Sequence, residues 1–173
     1  MTLILKQIFS LLKMINSETG TNQIAAGIAF GFILGMAPGF SLQTLMVILL
    51  ALFFRVQFGA VFVAAFFFKF IAWPFDPLFD HIGRSVLEAD SLQVILTSAY
   101  NLPILPFTKF YNSVVMGSGV LSILLFPVIF FLTRIMIAKY REKVIARIQG
   151  TKIFKAMQAT SLFKWYAKYD KLY

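Results

Sequence analysis

From Gln23 to Phe54 the chain carries no charged side chain; the run is broken once, at Pro38-Gly39, and Gly27, Gly31 and Gly35 stand four apart before the break. Such a stretch has to be folded away from water. Sixty per cent of all residues are apolar and 17% aromatic against 13% charged, so a water-soluble domain of 173 residues would have too little polar surface to cover itself. The uncharged runs lack the period-two alternation of a transmembrane barrel. The expected fold class is an all-α integral membrane protein of one domain.

Bilayer thickness sets how the runs are read. The arms Gln23 to Ala37 and Ser41 to Phe54 would each rise roughly 21 to 23 Å as helix, against a hydrocarbon core of about 30 Å. Joined at Pro38-Gly39-Phe40, they read as a re-entrant hairpin over 23–54, with two thin full spans as the alternative. A full span is expected at 59–75, interrupted by Lys69 and ended by Trp73-Pro74. Asp76, Asp80, Glu88 and Asp90 against Arg84 make 76–90 a polar acidic loop. The segment 91–112, with Pro103 and Pro106 where a regular helix cannot continue, reads as a second broken hairpin. Ser113 to Thr133 is uncharged and long enough for a second full span, 113–133, with Pro127 predicting a kink.

These elements make a membrane domain over 18–133, flanked by two amphipathic segments. In residues 1–17, Lys6, Ser10 and Lys13 share one helical face and Ile4, Leu5, Ile8 and Leu11 the other, as in an interfacial helix or one packed on the bundle. Lys6 and Lys13 interrupt the apolar run and no small-x-small cleavage site follows, so a signal peptide is not expected. The basic tail 134–173 holds most of the net charge of +9. Its Ile153, Phe154, Met157, Leu162, Trp165, Tyr166 and Tyr169 recur near helical spacing between lysines, which suits anionic lipid headgroups rather than nucleic acid. Lys and Arg flanking the spans place both termini in the cytoplasm. The order hairpin, span, hairpin, span then predicts an inverted repeat about an in-plane pseudo-two-fold.

Several residues are candidates for function. At the first tip, Pro38 and Gly39 are followed by Ser41, a good N-cap whose half-helix would point a positive dipole end into the membrane. Thr108 is expected to do the same in the second hairpin, with Lys109 adding a charge and Gln43, Thr44 and Tyr111 further hydrogen bonds. Together they would suit a phosphate headgroup; the competing reading is that Ser41 and Thr108 only satisfy backbone groups. Lys69, a cation inside a span, is expected either to pair with Asp76 or Asp80 or to snorkel. Gly27, Gly31 and Gly35 form a small-residue ridge, expected to pack on Ser41 to Phe54 or to offer a face to a partner protein or second copy. Asp76, Asp80 and His81 are the basis of a less favoured reading as a metal-dependent lipid enzyme. Nothing else supplies such an enzyme's aspartates. No Cys, second His, Ser-His set or Gly-rich nucleotide loop is present, so no catalytic residue, metal ligand set or cofactor is expected.

The run from Gln23-Ile24-Ala25-Ala26-Gly27 through Gly31, Gly35, Pro38, Ser41 and Gln43, followed by a Leu-rich arm and Arg55, resembles the bacterial membrane family domain of unknown function 2062 (DUF2062). The likeness covers about Gln23 to Leu132. Asp76-Pro77 falls where that family usually has Asn-Pro, which puts a charge at a normally neutral site. The resemblance implies a bacterial inner-membrane location and a hairpin architecture. The plan also looks like that of the DedA lipid-carrier transporters, by architectural analogy alone. The function read from the residues is binding or transport of a lipid-like anion, a phospholipid or polyprenyl phosphate, alone or as a subunit of a transport assembly. The alternative is a membrane scaffold that holds a partner.

Overall fold

A computed structural model describes residues 20–142. The expected helix at 1–17 and the tail beyond residue 142 lie outside the described residues. The chain divides into two compact units, Met1–Ile135 and Met136–Tyr173. The site and packing described below belong to the first. The described residues are helical and contain no strand: α1 Thr21–Met36, α2 Leu42–Phe53, α3 Phe58–Ala72, a 3-10 turn Trp73–Phe75, α4 Asp76–Leu87, α5 Asp90–Tyr100, a 3-10 turn Leu105–Thr108 and α6 Ser113–Tyr140.

The break between α1 and α2 has a local cause. Pro38 disfavours helical backbone in the residue before it, and Ala37 is extended (φ −64°, ψ 128°) while its N–H still closes the last helical bond to Ile33. α2 then starts at Ser41, extended at φ −149°, whose Oγ accepts the Thr44 N–H at 3.4 Å. It ends at Arg55, which is left-handed at φ 51°. The Arg55 N–H donates to the Leu52 carbonyl at 3.0 Å and the Val56 N–H to the Ala51 carbonyl at 3.3 Å. This is the Schellman closure, with arginine in the place usually taken by glycine; a left-handed side-chain residue costs on the order of 1 kcal/mol. The Gln57 N–H reaches the Gln23 carbonyl at 3.2 Å and ties the turn to the start of α1.

α1 is the central element, and its glycine ridge packs on α3. A Cβ on Gly27 would lie 2.9 Å from the Ala60 Cβ, one on Gly31 2.4 Å from the Val61 carbonyl oxygen, and one on Gly35 2.5 Å from the Phe68 Cβ. The ridge therefore does not face Ser41 to Phe54, nor does it stand open to a partner. Small side chains recur at the facing positions Ala60 and Ala64, which lets the two backbones approach and gain van der Waals contact that lipid cannot replace. On either side of this seam lies a core. Phe30, Ala51, Val56 and Val61 pack with Phe126 on one side. Phe32, Met36, Ala72 and Phe79 pack with Leu121 and Leu125 on the other.

The span expected to end at Trp73-Pro74 does not end there. Pro74 sits in one 3-10 turn and Pro77 at the start of α4, positions where a missing N–H costs little, and the helical run continues over Phe58–Leu87, 30 residues. The expected acidic loop 76–90 is thus mostly helix α4. Its His81 and Arg84 are exposed, Asp76 and Asp80 are half-buried, and Phe79 and Gly83 are buried. A charge count concealed that helical period. α6 starts at Ser113 and runs through Pro127 to Tyr140, so the basic segment begins inside the helix with Arg134. Phe58–Leu87 and Ser113–Tyr140 are both long and apolar enough to cross a membrane; α1 and α2 are shorter apolar helices.

The second broken hairpin has a helical first arm, α5, but its return is one 3-10 turn, Leu105–Thr108. The two prolines leave too few residues for a second arm before α6. Among the described residues the two expected hairpins therefore differ, the first having two helical arms and the second one.

Candidate functional site

Where α1 breaks, the chain forms a half-open cavity of about 330 Å³ lined by Ala37, Pro38, Gly39, Phe40 and Ser41 from the tip, Asp76 from α4, Lys109 and Asn112 from the turn before α6, and Val114 and Val115 from α6 itself. Its size is at the lower end for small-molecule sites. Of the residues expected from sequence to hold a ligand, the fold brings Ser41, Asp76 and Lys109 together here, beside Pro38 and Gly39.

Two helix starts meet at this cavity. Ser41 caps α2, and Asn112 caps α6 by accepting the Val115 N–H through Oδ1 at 3.1 Å. Helix starts carry unsatisfied N–H groups and a partial positive charge. Lys109 stands between them in left-handed backbone at φ 59°, held by its N–H to the Pro106 carbonyl (2.9 Å) and by its carbonyl, which accepts the Asn112 N–H at 2.9 Å. Strained backbone of this kind persists where its surroundings fix it and is common at ligand sites. Among the described residues the side chains of Lys109 and Asp76 have no hydrogen-bond or ion-pair partner, and none joins them to each other. An opposite pair of unspent charges therefore shares one concavity.

The other expected residues serve the frame. Lys69 pairs with neither Asp76 nor Asp80: its Nζ donates to the Ala37 carbonyl, across from the cavity wall. The physical reason is that α1 ends there with carbonyls left over, and a cation is favoured at a helix C-terminus. Thr44 Oγ1 donates to the Gly39 carbonyl at 3.1 Å and braces the tip from inside. Gln43 packs on α6, its amide nitrogen 2.8 Å from where a Cβ on Gly119 would lie. Thr108 does not cap a helix; its Oγ1 donates to the Leu105 carbonyl within its own turn, at 2.6 Å. Tyr111 stacks edge-on with Tyr100, ring centroids 5.6 Å apart, in a separate shallow cavity of about 250 Å³ with Gln93 and Phe110.

Asp80, one helical turn from Asp76 on α4, is hydrogen-bonded to other residues. It accepts from Ser113 Oγ and from Arg84 Nε, the latter at 2.9 Å, and no cluster of metal-ligating side chains occurs among the described residues. The Asp80–Ser113 contact belongs to a second close crossing, where a Cβ on Gly83 would lie 1.8 Å from the Ser113 carbonyl oxygen and one on Gly117 1.8 Å from that of Phe79. Through this crossing α6 sets the position of Asn112 and Lys109 relative to Asp76. Sequence reasoning missed Asn112 and the Gly83/Gly117 pair. Asn112, an N-cap residue immediately before an uncharged run, was a readable signal; two lone glycines on distant helices were not.

The chain belongs to the DUF2062 family, described as an uncharacterized protein conserved in bacteria, whose match covers residues 8–145. A protein of Treponema pallidum (strain Nichols), described as an uncharacterized protein, is 24% identical over 160 residues, which cover 92% of this chain and 99% of that one. No solved structure matches the chain.

Proposed function

We propose that this is an integral protein of the bacterial inner membrane, with both termini in the cytoplasm, that binds and moves a lipid-like anion, a phospholipid or polyprenyl phosphate, at the cavity beside Pro38-Gly39. It acts alone or as a subunit of a transport assembly. The observation that carries the reading is the convergence on one cavity of Lys109 and the capped starts of α2 and α6. A phosphate there would meet N–H donors and a cation together, the combination that makes helix starts good anion sites. Large apolar side chains surround the frame on the outside, with Leu45, Met46, Leu49 and Phe53 of α2 at least half exposed, and a patch of that extent suits lipid.

Two observations support this reading over its alternatives at the described residues. A scaffold using the Gly27, Gly31 and Gly35 face would find it filled by α3, and a metal enzyme at Asp76, Asp80 and His81 would find Asp80 held by Ser113 and Arg84. Native mass spectrometry of the full chain extracted in mild detergent tests the proposal. The expected spectrum retains a phosphate-bearing lipid, and Lys109→Ala lowers its occupancy about tenfold, the order expected for a charged hydrogen bond. A bare protein, or equal occupancy in wild type and in Lys109→Ala, would overturn it.

A further inference from the structure

Asp76 is the feature that a site for a plain anion does not explain. It is half-buried and lines the same cavity as Lys109, and a carboxylate there repels the phosphate that the rest of the wall attracts. A capping role does not account for it. Asp76 opens the first turn of α4, where a negative charge complements the helix start, but its N–H already bonds to the Trp73 carbonyl and its carboxylate makes no hydrogen bond to the described residues. Nor is it held in an ion pair, since Lys69 is spent on Ala37, Arg84 on Asp80, and Lys109 shares the cavity without a salt bridge to it.

From this placement we propose that the cavity selects a zwitterionic aminophosphate, a headgroup in which a phosphate and a primary ammonium are joined by a short linker. The inference rests on the lipid-anion reading above and sharpens its ligand class. The phosphate sits against Lys109, the Ser41 end of α2 and the Asn112 end of α6; the ammonium sits against Asp76. A ligand with both charges satisfies both walls of a cavity of about 330 Å³, whereas a purely anionic headgroup leaves Asp76 unpaired beside a like charge. Discrimination of this kind arises as much from the repulsion built against the wrong ligand as from the attraction to the right one.

The full chain, delipidated in detergent, is titrated with dioleoyl phosphatidylethanolamine and dioleoyl phosphatidylglycerol, with bound lipid counted by native mass spectrometry and the thermal midpoint of each variant as the check of folding. Wild type is expected to prefer the ethanolamine lipid by about tenfold, Asp76→Asn to bind the two alike, and Asp76→Lys to invert the preference. Equal or better binding of the glycerol lipid by wild type overturns the inference, and leaves the lipid-anion reading standing if that binding still needs Lys109. No binding of either lipid overturns the inference, and the lipid-anion reading is then decided separately by whether the chain extracted without delipidation retains a phosphate-bearing lipid that needs Lys109. Water-soluble glycerophosphoethanolamine decides the source of the headgroup: competition that depends on Asp76 assigns a free aminophosphate, and failure to compete assigns the lipid.

Discussion

A Cβ on Gly31 would come within 2.4 Å of the Val61 carbonyl oxygen and 2.6 Å of the Ala64 Cβ, whereas one on Gly39 would meet nothing within 4 Å. Gly39 also has no positive φ. These two of the four glycines in the broken run therefore differ in what holds them: Gly31 is required by the approach of α3, and Gly39 only lies in an open tip. Gly31→Ala is expected to cost about 1–3 kcal/mol by overpacking, while Gly39→Ala changes stability by less than about 1 kcal/mol. Thermal or denaturant unfolding of the two variants in the same detergent checks this; equal losses would contradict the assignment. Sequence made Pro38-Gly39 prominent, but at this scale the tip is set by Pro38, through its effect on Ala37, and by the Lys69 and Thr44 bonds to carbonyls on either side.

Among the elements, the first broken run was legible because its signals are local: a capping serine, a proline and uncharged arms on both sides. α4 was not, because Asp76, Asp80, His81 and Arg84 interrupt its apolar pattern and only contact with α6 marks Phe79 and Gly83 as the inner face. The return arm of the second hairpin was misjudged for a related reason. Hydropathy could not distinguish a helical arm from a single 3-10 turn followed by capped α6. The crossing of α4 on α6 carries a prediction of its own. Gly117→Val would place branched carbons where the Phe79 carbonyl now lies, separating the helices at a cost on the order of 3 kcal/mol. Because that crossing fixes Asp76 against Lys109, headgroup preference should fall with it, while Gly119→Ala, which meets only the flexible Gln43 side chain, should retain preference. Native mass spectrometry with the two lipids above measures both; loss in Gly119→Ala alone would contradict the account.

At the scale of the whole molecule, the proposed membrane reading turns on the length of the run Phe58–Leu87. Its 30 residues rise about 45 Å as helix, enough to cross a hydrocarbon core of about 30 Å. Gln57→Cys and Ser85→Cys are expected to react with a membrane-impermeant maleimide from opposite sides of sealed vesicles. Labelling of both from one side would refute the crossing and with it the cytoplasmic placement of both termini. Ser41, Asp76 and Lys109 were individually visible in the sequence as polar or charged residues in an apolar chain. Their assembly was not visible, since they lie on three separate segments that meet only because α1 packs on α3 and α4 crosses α6.

The sequence by itself determined the class of fold, the family and the place of the first break. Each depends on composition or on contacts between residues close in the chain, and an uncharged run, a proline and an N-cap act the same way wherever the rest of the chain goes. The tertiary structure alone decided that the glycine ridge is filled by α3, that Lys69 holds the end of α1 instead of an aspartate, and that Asp76 and Lys109 line one cavity. Those are facts of close approach between segments far apart in sequence, where a missing Cβ or an unsatisfied carbonyl selects the neighbour and no local pattern records the choice.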